Sequence, residues 1–401
     1  MIRFCIALLL MVSVCGFGAD WEQWRGPARD GQTGQNLPGA LPDQLTEVWK
    51  IEIGEGHSSP LVVGKDIILF SRSGEKEMLR RISAKDGSIK WETGYEQAYT
   101  MHPAASGHGK GPKATPLIAG GRIFTFGIDG MLSAYGLADG KMIWQKDYSK
   151  EFPKNSPVYG ASASPIAWND GIVIHIGGEK NGALVMLDAA TGKEQWRWDG
   201  DGPGYASPVI VKTSSGEQLV TQTEVKVAGF DAGGQLLWER SLVTPYHQNS
   251  VTPMVSGDHL IYSGLDAGSF ALKLNWDNPE VVWQNKEIFS YMSSPVLVDG
   301  RIYRHSPKRK GMFVCQDAKT GKVIWTSEGR DGENAAFLVA GKHILALTTD
   351  AKLVIFKAGG ASYKPVKTYD VAGSPTWAHP ALVDGNHLVV KDKNHLILYR
   401  F

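Results

Sequence analysis

A chain of 401 residues with 42 basic and 41 acidic side chains and 42% apolar content can bury a large core and shows no compositional sign of disorder. The near-zero net charge excludes a polyanion-binding reading, because neutralising many phosphates takes a concentrated basic face, so nucleic acid is not an expected partner. Beyond the first fifteen residues the single cysteine is Cys315, so no intrachain disulfide is expected in the body and stability must come from packing.

The chain starts Met1-Ile2-Arg3 and continues with an uncharged apolar run over 4–14, followed by Gly16, Gly18 and Ala19. One positive charge, a short apolar stretch and small residues read as a secretory signal over 1–19, with a mature start near Asp20 and a secreted or periplasmic location. Cys15 offers an alternative, a lipidated N-terminus, although Val14 stands where lipoprotein signals want a small residue. Membrane association is expected only through that lipid. Residues 20–44 form a leader segment, and 45–401 carry a repeat.

The repeat has two alternating signals. The first is a small or hydroxyl residue, a proline and an apolar stretch, at Ser59-Pro60, Thr115-Pro116, Ser164-Pro165, Ser207-Pro208, Thr252-Pro253, Ser294-Pro295, the proline-less Ala336-Phe337, and His379-Pro380. The second is a turn rich in Asp, Thr and Gly, then a short β-like run and a tryptophan. It closes on Trp91, Trp144, Trp196, Trp238, Trp283 and Trp325, degenerates at Asn278-Pro279, and weakens to Tyr369; Trp49 precedes the first proline signal. Successive tryptophans lie 42 to 53 residues apart, the length of one four-stranded propeller blade. Period-two runs such as 66–70 and 122–126 fill the intervals, and no stretch sustains a helical period. The expected fold is all-β: an eight-bladed propeller of four-stranded antiparallel blades. The strand around Trp49 pairs with the incomplete C-terminal blade 380–401 and closes the ring, which removes exposed strand edges. The tryptophans Trp49, Trp91, Trp144, Trp196, Trp238, Trp283 and Trp325 are expected to wedge between blades as core.

The Gly-Lys-x-x-Trp turns, as in Thr191-Gly192-Lys193 with Trp196 and Thr320-Gly321-Lys322 with Trp325, resemble the tryptophan-docking repeat of pyrroloquinoline quinone (PQQ) propellers over about 45–401. The opening Trp21-Glu22-Gln23-Trp24-Arg25-Gly26-Pro27 with Arg29-Asp30-Gly31 is similar to the leader of secreted PQQ-binding-like β-propeller repeat proteins. Two branches of that resemblance compete. One, the quinoprotein alcohol and glucose dehydrogenases, implies PQQ with calcium; the other implies a non-catalytic relative, such as the lipoprotein scaffold of the outer-membrane β-barrel assembly machinery. The chain is short for the first branch, cannot form its vicinal cysteine pair, and has no Cys-x-x-Cys-His for a c-type haem.

In a propeller, the loops leading from each outermost strand to the next innermost strand surround one mouth of the channel. Three positions before each proline or its substitute stand His57, Lys113, Ser162, Tyr205, Ser250, Met292, Asn334 and Trp377, a ring that is polar and aromatic and varies from blade to blade. A purely structural position would repeat more often, so this ring is the candidate ligand-binding surface. His102, His247, Asn249, Tyr291 and His379 in adjoining loops extend it, with His108, Tyr159 and Gln248 on the same side, although tyrosine and histidine also serve as half-buried loop anchors. No metal site is assigned, since His102 and His108 fit no ligand spacing. Solvation accounts for the basic run Lys308-Arg309-Lys310, and no nucleophile motif is present. The expectation is a monomeric, secreted or periplasmic binding and scaffolding propeller, without catalysis or cofactor, engaging a protein or small ligand at the mouth. The alternatives are a dehydrogenase using PQQ and calcium, and a glycan binder stacking sugars on Tyr205, Tyr291 and Trp377.

Overall fold

The computed structural model describes residues 20–152 and 157–401. The expected signal segment 1–19 and the lipidation site Cys15 lie outside the described residues. Eight separate four-stranded antiparallel sheets make up the fold, and four short 3-10 turns are the only helical segments among the described residues. Seven sheets are built from consecutive strands. The eighth joins Thr46–Glu52 to His395–Arg400, His387–Lys391 and Ala381–Leu382. Thr46 faces Arg400 and Glu52 faces His395, with a bulge between Glu47 and Trp49. The chain's two ends therefore share one blade and the ring closes as expected.

Each blade grades from inside to outside. Innermost strands such as Leu61–Val63 are mostly buried, second strands such as Gly171–Gly178 are buried at every position, and outermost strands such as Met142–Asp147 alternate between exposed and half-buried. That gradient matches the sequence, in which continuous apolar runs give way to period-two patterns.

The tryptophan signal acts between blades. The indole N–H of Trp49 donates to the Ala84 carbonyl at 3.0 Å, and Trp144, Trp196, Trp283 and Trp325 likewise reach Ala189, Ala232, Ala318 and Gly360 at 2.9–3.2 Å. The first four acceptors belong to the Asp- and Gly-containing turn of the next blade, and Gly360 to the corresponding Gly-Gly turn of the seventh. Trp91 lies over Gly140 of the next turn without a hydrogen-bond partner for its indole N–H. Trp238 departs from the pattern. The next turn, Asp277-Asn278-Pro279, lacks the glycine, and Trp238 packs on Gly229 and donates to Gln218 Oε1 at 2.8 Å in its own blade.

The hydroxyl-proline signal acts at the channel. The backbone N–H of His379 donates to Ser59 Oγ, that of Ser59 to Thr115 Oγ1, that of Thr115 to Ser164 Oγ, that of Ser164 to Ser207 Oγ, and that of Thr252 to Ser294 Oγ, all at 2.9–3.0 Å. Each hydroxyl thus satisfies a buried donor of the preceding blade, which explains why the residue before proline is so often Ser or Thr. Ser164→Ala should leave the buried Thr115 N–H unpaired and cost about 2 kcal/mol of unfolding free energy, read as a lower urea midpoint at unchanged slope.

Residues 20–37 fill the channel. Trp21 bridges Val62 of the first blade, and the Glu22 carbonyl accepts the Ile118 N–H of the second at 2.8 Å. Arg29 is buried and donates to Pro208 O at 2.9 Å, to Ser164 O at 3.4 Å and to Pro165 O, tying the third and fourth blades. Trp24 Nε1 donates to Thr252 Oγ1 at 2.8 Å in the fifth, and the buried Arg25 donates to Pro295 O in the sixth. Thr33 pairs with Val339 of the seventh, and Gln35 reaches Leu382 O of the eighth at 3.4 Å. What reads as a leader by sequence is a central plug bonded to all eight blades.

Candidate functional site

The plug turns one mouth of the channel into an open cup, with Trp24 as its floor. Its wall comes from the loops between blades: His57, His108, Lys113, Tyr159, Ser162, Tyr205, Ser207, Gln248, Ser250, Thr252, Met292 and Trp377. Seven of the eight ring positions read from the sequence meet here, because the proline signal marks the same place in every blade.

Aromatic rings form a continuous chain along part of the wall. Trp377 stacks on His57 with centroids 5.5 Å apart and planes inclined by 14°. His108 stands edge-on to Trp377 at 4.9 Å and to Tyr159 at 5.1 Å, and Tyr159 meets Tyr205 at 5.7 Å. Burial, with Lys113, His108 and Lys391 nearby, holds His57 well below the usual imidazole range, so the ring is neutral at pH 7. Burial likewise pushes the Lys113 ammonium down to about 7, against the opposing pull of Glu55. Burial keeps the Tyr205 phenol protonated throughout the physiological range.

The other sequence candidates sit elsewhere, each for a local reason. Asn334 is buried and pairs with Thr349, because the seventh blade lacks the proline and its innermost strand, Ala335–Ala340, starts at the mouth and draws the preceding residue into the sheet. His102 caps the turn Pro103–His108 by accepting the Ala104 N–H. Asn249 is fully buried and donates to the carbonyls of Thr223, Glu224 and Leu242 at 2.7–3.1 Å, and His247 pairs with Glu224 at 2.9 Å. Both are loop anchors. Tyr291 donates its hydroxyl to Gln248, bracing a wall residue from outside. His379 lies against Trp24 with ring centroids 4.3 Å apart, away from the lining. Trp24 has no counterpart among the sequence candidates, and Ser207 and Thr252 stood there only as parts of the proline signal.

Burial, reinforced by Arg25, pushes His379 down to about 3. An unfolded histidine titrates near 6.5, so below that pH the unfolded chain takes up a proton that the folded chain refuses. The stability associated with neutral His379 is complete above about pH 6.5 and is lost as pH falls. Relative to a His379→Gln variant, the wild type should lose up to about 1.4 kcal/mol per pH unit between pH 6 and 4, measured by urea titration at each pH. A difference that does not change with pH would contradict this.

On the rim, the loop after the fourth blade exposes Val243 (60%) and Tyr246 (78%). Tyr246 and His247 both adopt left-handed backbone at φ 62° and 54°. The Asn249 and His247 contacts anchor the loop in this shape, and Tyr246 projects from it into solvent.

A family model described as "Outer membrane protein assembly factor BamB" matches residues 100–327. The outer membrane protein assembly factor BamB of Yersinia pestis is 26% identical over 261 residues, 63% of this chain and 60% of that protein. The quinohemoprotein alcohol dehydrogenase ADH-IIG of Pseudomonas putida is 24% identical over 75% of this chain and 46% of its own length. The chain thus spans less than two thirds of the length of these two curated relatives. Among solved structures, BamB of Moraxella catarrhalis superposes with a TM-score of 0.66 at 16% identity, over 90% of this chain and 98% of that one. A europium-containing methanol dehydrogenase superposes at 0.72 with 13% identity, over 96% and 98%. At these identities the superpositions establish the shared propeller and nothing about activity.

Proposed function

Because the chain belongs to the family of outer membrane protein assembly factor BamB, we propose that it is a non-catalytic periplasmic scaffold that engages another protein of outer-membrane assembly through the mouth face of its propeller. The observation that carries this reading is the convergence of the inter-blade loops on one floored recess, with the exposed Tyr246 on an anchored loop beside it. An exposed aromatic on an anchored loop offers a large contact area at a low cost in side-chain entropy, which makes it a strong contact for a partner surface.

The dehydrogenase alternative calls for PQQ and calcium, and the cup can be tested for both. Calcium takes six to eight oxygen ligands, among them carboxylates. The lining offers hydroxyls, one amide and aromatic rings, but no Asp or Glu side chain. These residues do not fit a calcium-bound quinone, and the scaffold reading stands without one.

The test is genetic and biochemical together. A strain lacking the gene should show reduced outer-membrane β-barrel protein, restored by the wild-type chain and not by a Val243→Ser, Tyr246→Ser double variant. The purified double variant should bind the periplasmic part of the assembly machinery at least tenfold more weakly, about 1.4 kcal/mol or more. Full rescue by the double variant, or normal barrel levels in the deletion strain, would overturn the proposal.

A further inference from the structure

Two amines near the mouth are buried without a contact ion pair among the described residues. Lys113 is 8% exposed and Lys391 is fully buried, and among the described residues neither makes an ion pair. The Lys113 ammonium donates to the carbonyls of His108 at 2.6 Å and Gly109 at 3.0 Å, which leaves one of its three donors free. Lys391 is held by the carbonyls of Gly54, Asp392 and Lys393.

Among the described residues no carboxylate touches either amine, although Glu55 and Glu77 act on Lys113, and Asp392 and Glu55 on Lys391, from a distance. The neighbours that act on His57 are Lys113, His108 and Lys391, with no acid among them. Glu55 and Asp392 line an adjoining recess behind His57, His108 and Trp377, and both already accept backbone N–H groups: Lys110 for Glu55, and Asn394 and His395 for Asp392. Glu77, which also acts on Lys113, is bound to Tyr95 and Ile128. The cup itself has an amine, two imidazoles, four larger aromatic rings and Met292, and no carboxylate. A buried amine with carbonyl partners alone gains most from an arriving anion, because the pair forms where water screens least.

Shape restricts what can bring that anion. Trp24, fixed by Thr252, closes the bottom, and the plug fills the channel below it, so no extended chain can thread through. A chain end, a projecting side chain or a small molecule can still reach the floor, and a chain end brings a carboxylate and its own side chain together. Trp24, Trp377, Tyr159 and Tyr205 offer ring faces and edges suited to an aromatic group.

We infer that the cup receives the free C-terminal residue of a partner polypeptide, its carboxylate meeting Lys113 and an aromatic side chain resting on Trp24. This rests on the reading that the partner is a protein. A proton accompanies the ligand: near pH 7.5 a bound carboxylate favours the charged forms of Lys113 and His57, so the complex takes up protons that the free protein lacks.

The probe is the tetrapeptide Gly-Ser-Gly-Phe as free acid and as C-terminal amide, titrated calorimetrically into the mature chain at pH 7.5 in phosphate and in Tris. The acid should bind at least tenfold more tightly than the amide, with a heat that differs between the buffers by the proton taken up. Lys113→Met should bind both peptides as the wild type binds the amide, and Lys113→Arg should recover acid preference, which guards against a folding defect in the first variant. Equal binding of acid and amide, binding of neither, or acid preference persisting in Lys113→Met would each overturn the inference. N-acetyl-phenylalanine binding as tightly as the tetrapeptide would overturn the polypeptide source. Capture of the assembly machinery by the wild-type chain reports separately on the scaffold reading, which survives if only the tetrapeptide fails.

Discussion

Arg29→Met lowers the unfolding free energy by about 3 kcal/mol, and deleting 20–37 lowers it further, as measured by urea unfolding of the mature chain. The guanidinium is buried and donates to the carbonyls of Pro208, Ser164 and Pro165 in two different blades. Burial pushes its pKa down to about 9, so desolvation offsets part of what those hydrogen bonds contribute. Methionine removes the charge and its desolvation cost together, but it leaves three carbonyls facing an apolar side chain. Unsatisfied buried acceptors cost roughly 1–3 kcal/mol each, partly relieved by relaxation or an entering water, hence the net figure. Because Arg29 reaches the third and fourth blades while Arg25 reaches the sixth, the loss should appear as one cooperative transition at lower urea, not as local fraying. Unchanged stability would mean that the plug is a passenger in the channel.

Gly192→Ala should cost about 3 kcal/mol, against about 1 kcal/mol for Gly257→Ala. Both glycines have left-handed backbone, at φ 71° and 62°, so both substitutions carry the same strain for a Cβ-bearing residue. They differ in their surroundings. A Cβ on Gly192 would lie 2.8 Å from Cδ2 and Cε3 of Trp144, the indole that docks from the preceding blade, whereas nothing lies within 4 Å of one on Gly257. The difference between the two variants, read from urea midpoints, isolates the tryptophan-on-glycine contact from backbone strain. Equal losses would assign the glycine to the turn alone and leave Trp144 without a specific seat.

Those two substitutions also mark the boundary of what was legible in the chain. The Asp-Thr-Gly turn before Trp196 is a local object: Asp188 Oδ1 accepts the N–H groups of Ala190 and Thr191 and the Thr191 hydroxyl within four residues. Its spacing from the next turn reports blade length directly. The ring closure was legible for a related reason, since a lone strand around Trp49 and a C-terminal blade short of one strand leave a single way to pair all edges. Trp238 is buried in one cluster with side chains of the next blade, as expected of a wedge, but its indole N–H turns to Gln218 of its own blade because the neighbouring turn lost its glycine, which the tryptophan spacing does not report.

For the cup, seven ring positions could be counted from the prolines because proline fixes where each innermost strand begins. Asn334 was counted with them through the proline substitute but lies in the sheet for want of a proline, and Asn249, His247 and His102, also named from the sequence, lie off the lining because residue type does not reveal whether a polar side chain turns outward or ties down its own loop. Trp24 was out of reach for a deeper reason. The segment 20–37 repeats nothing, and its path is set by hydrogen bonds to carbonyls hundreds of residues away, such as Gln35 to Leu382 and Thr33 to Val339. Short-range chemistry repeated eight times determined the blades, their number and the ring of the mouth from the sequence alone. The closed floor, the buried amines and the direction of each loop side chain were decided only when the ring closed around the plug, because burial and charge depend on which distant backbone groups come to face each side chain.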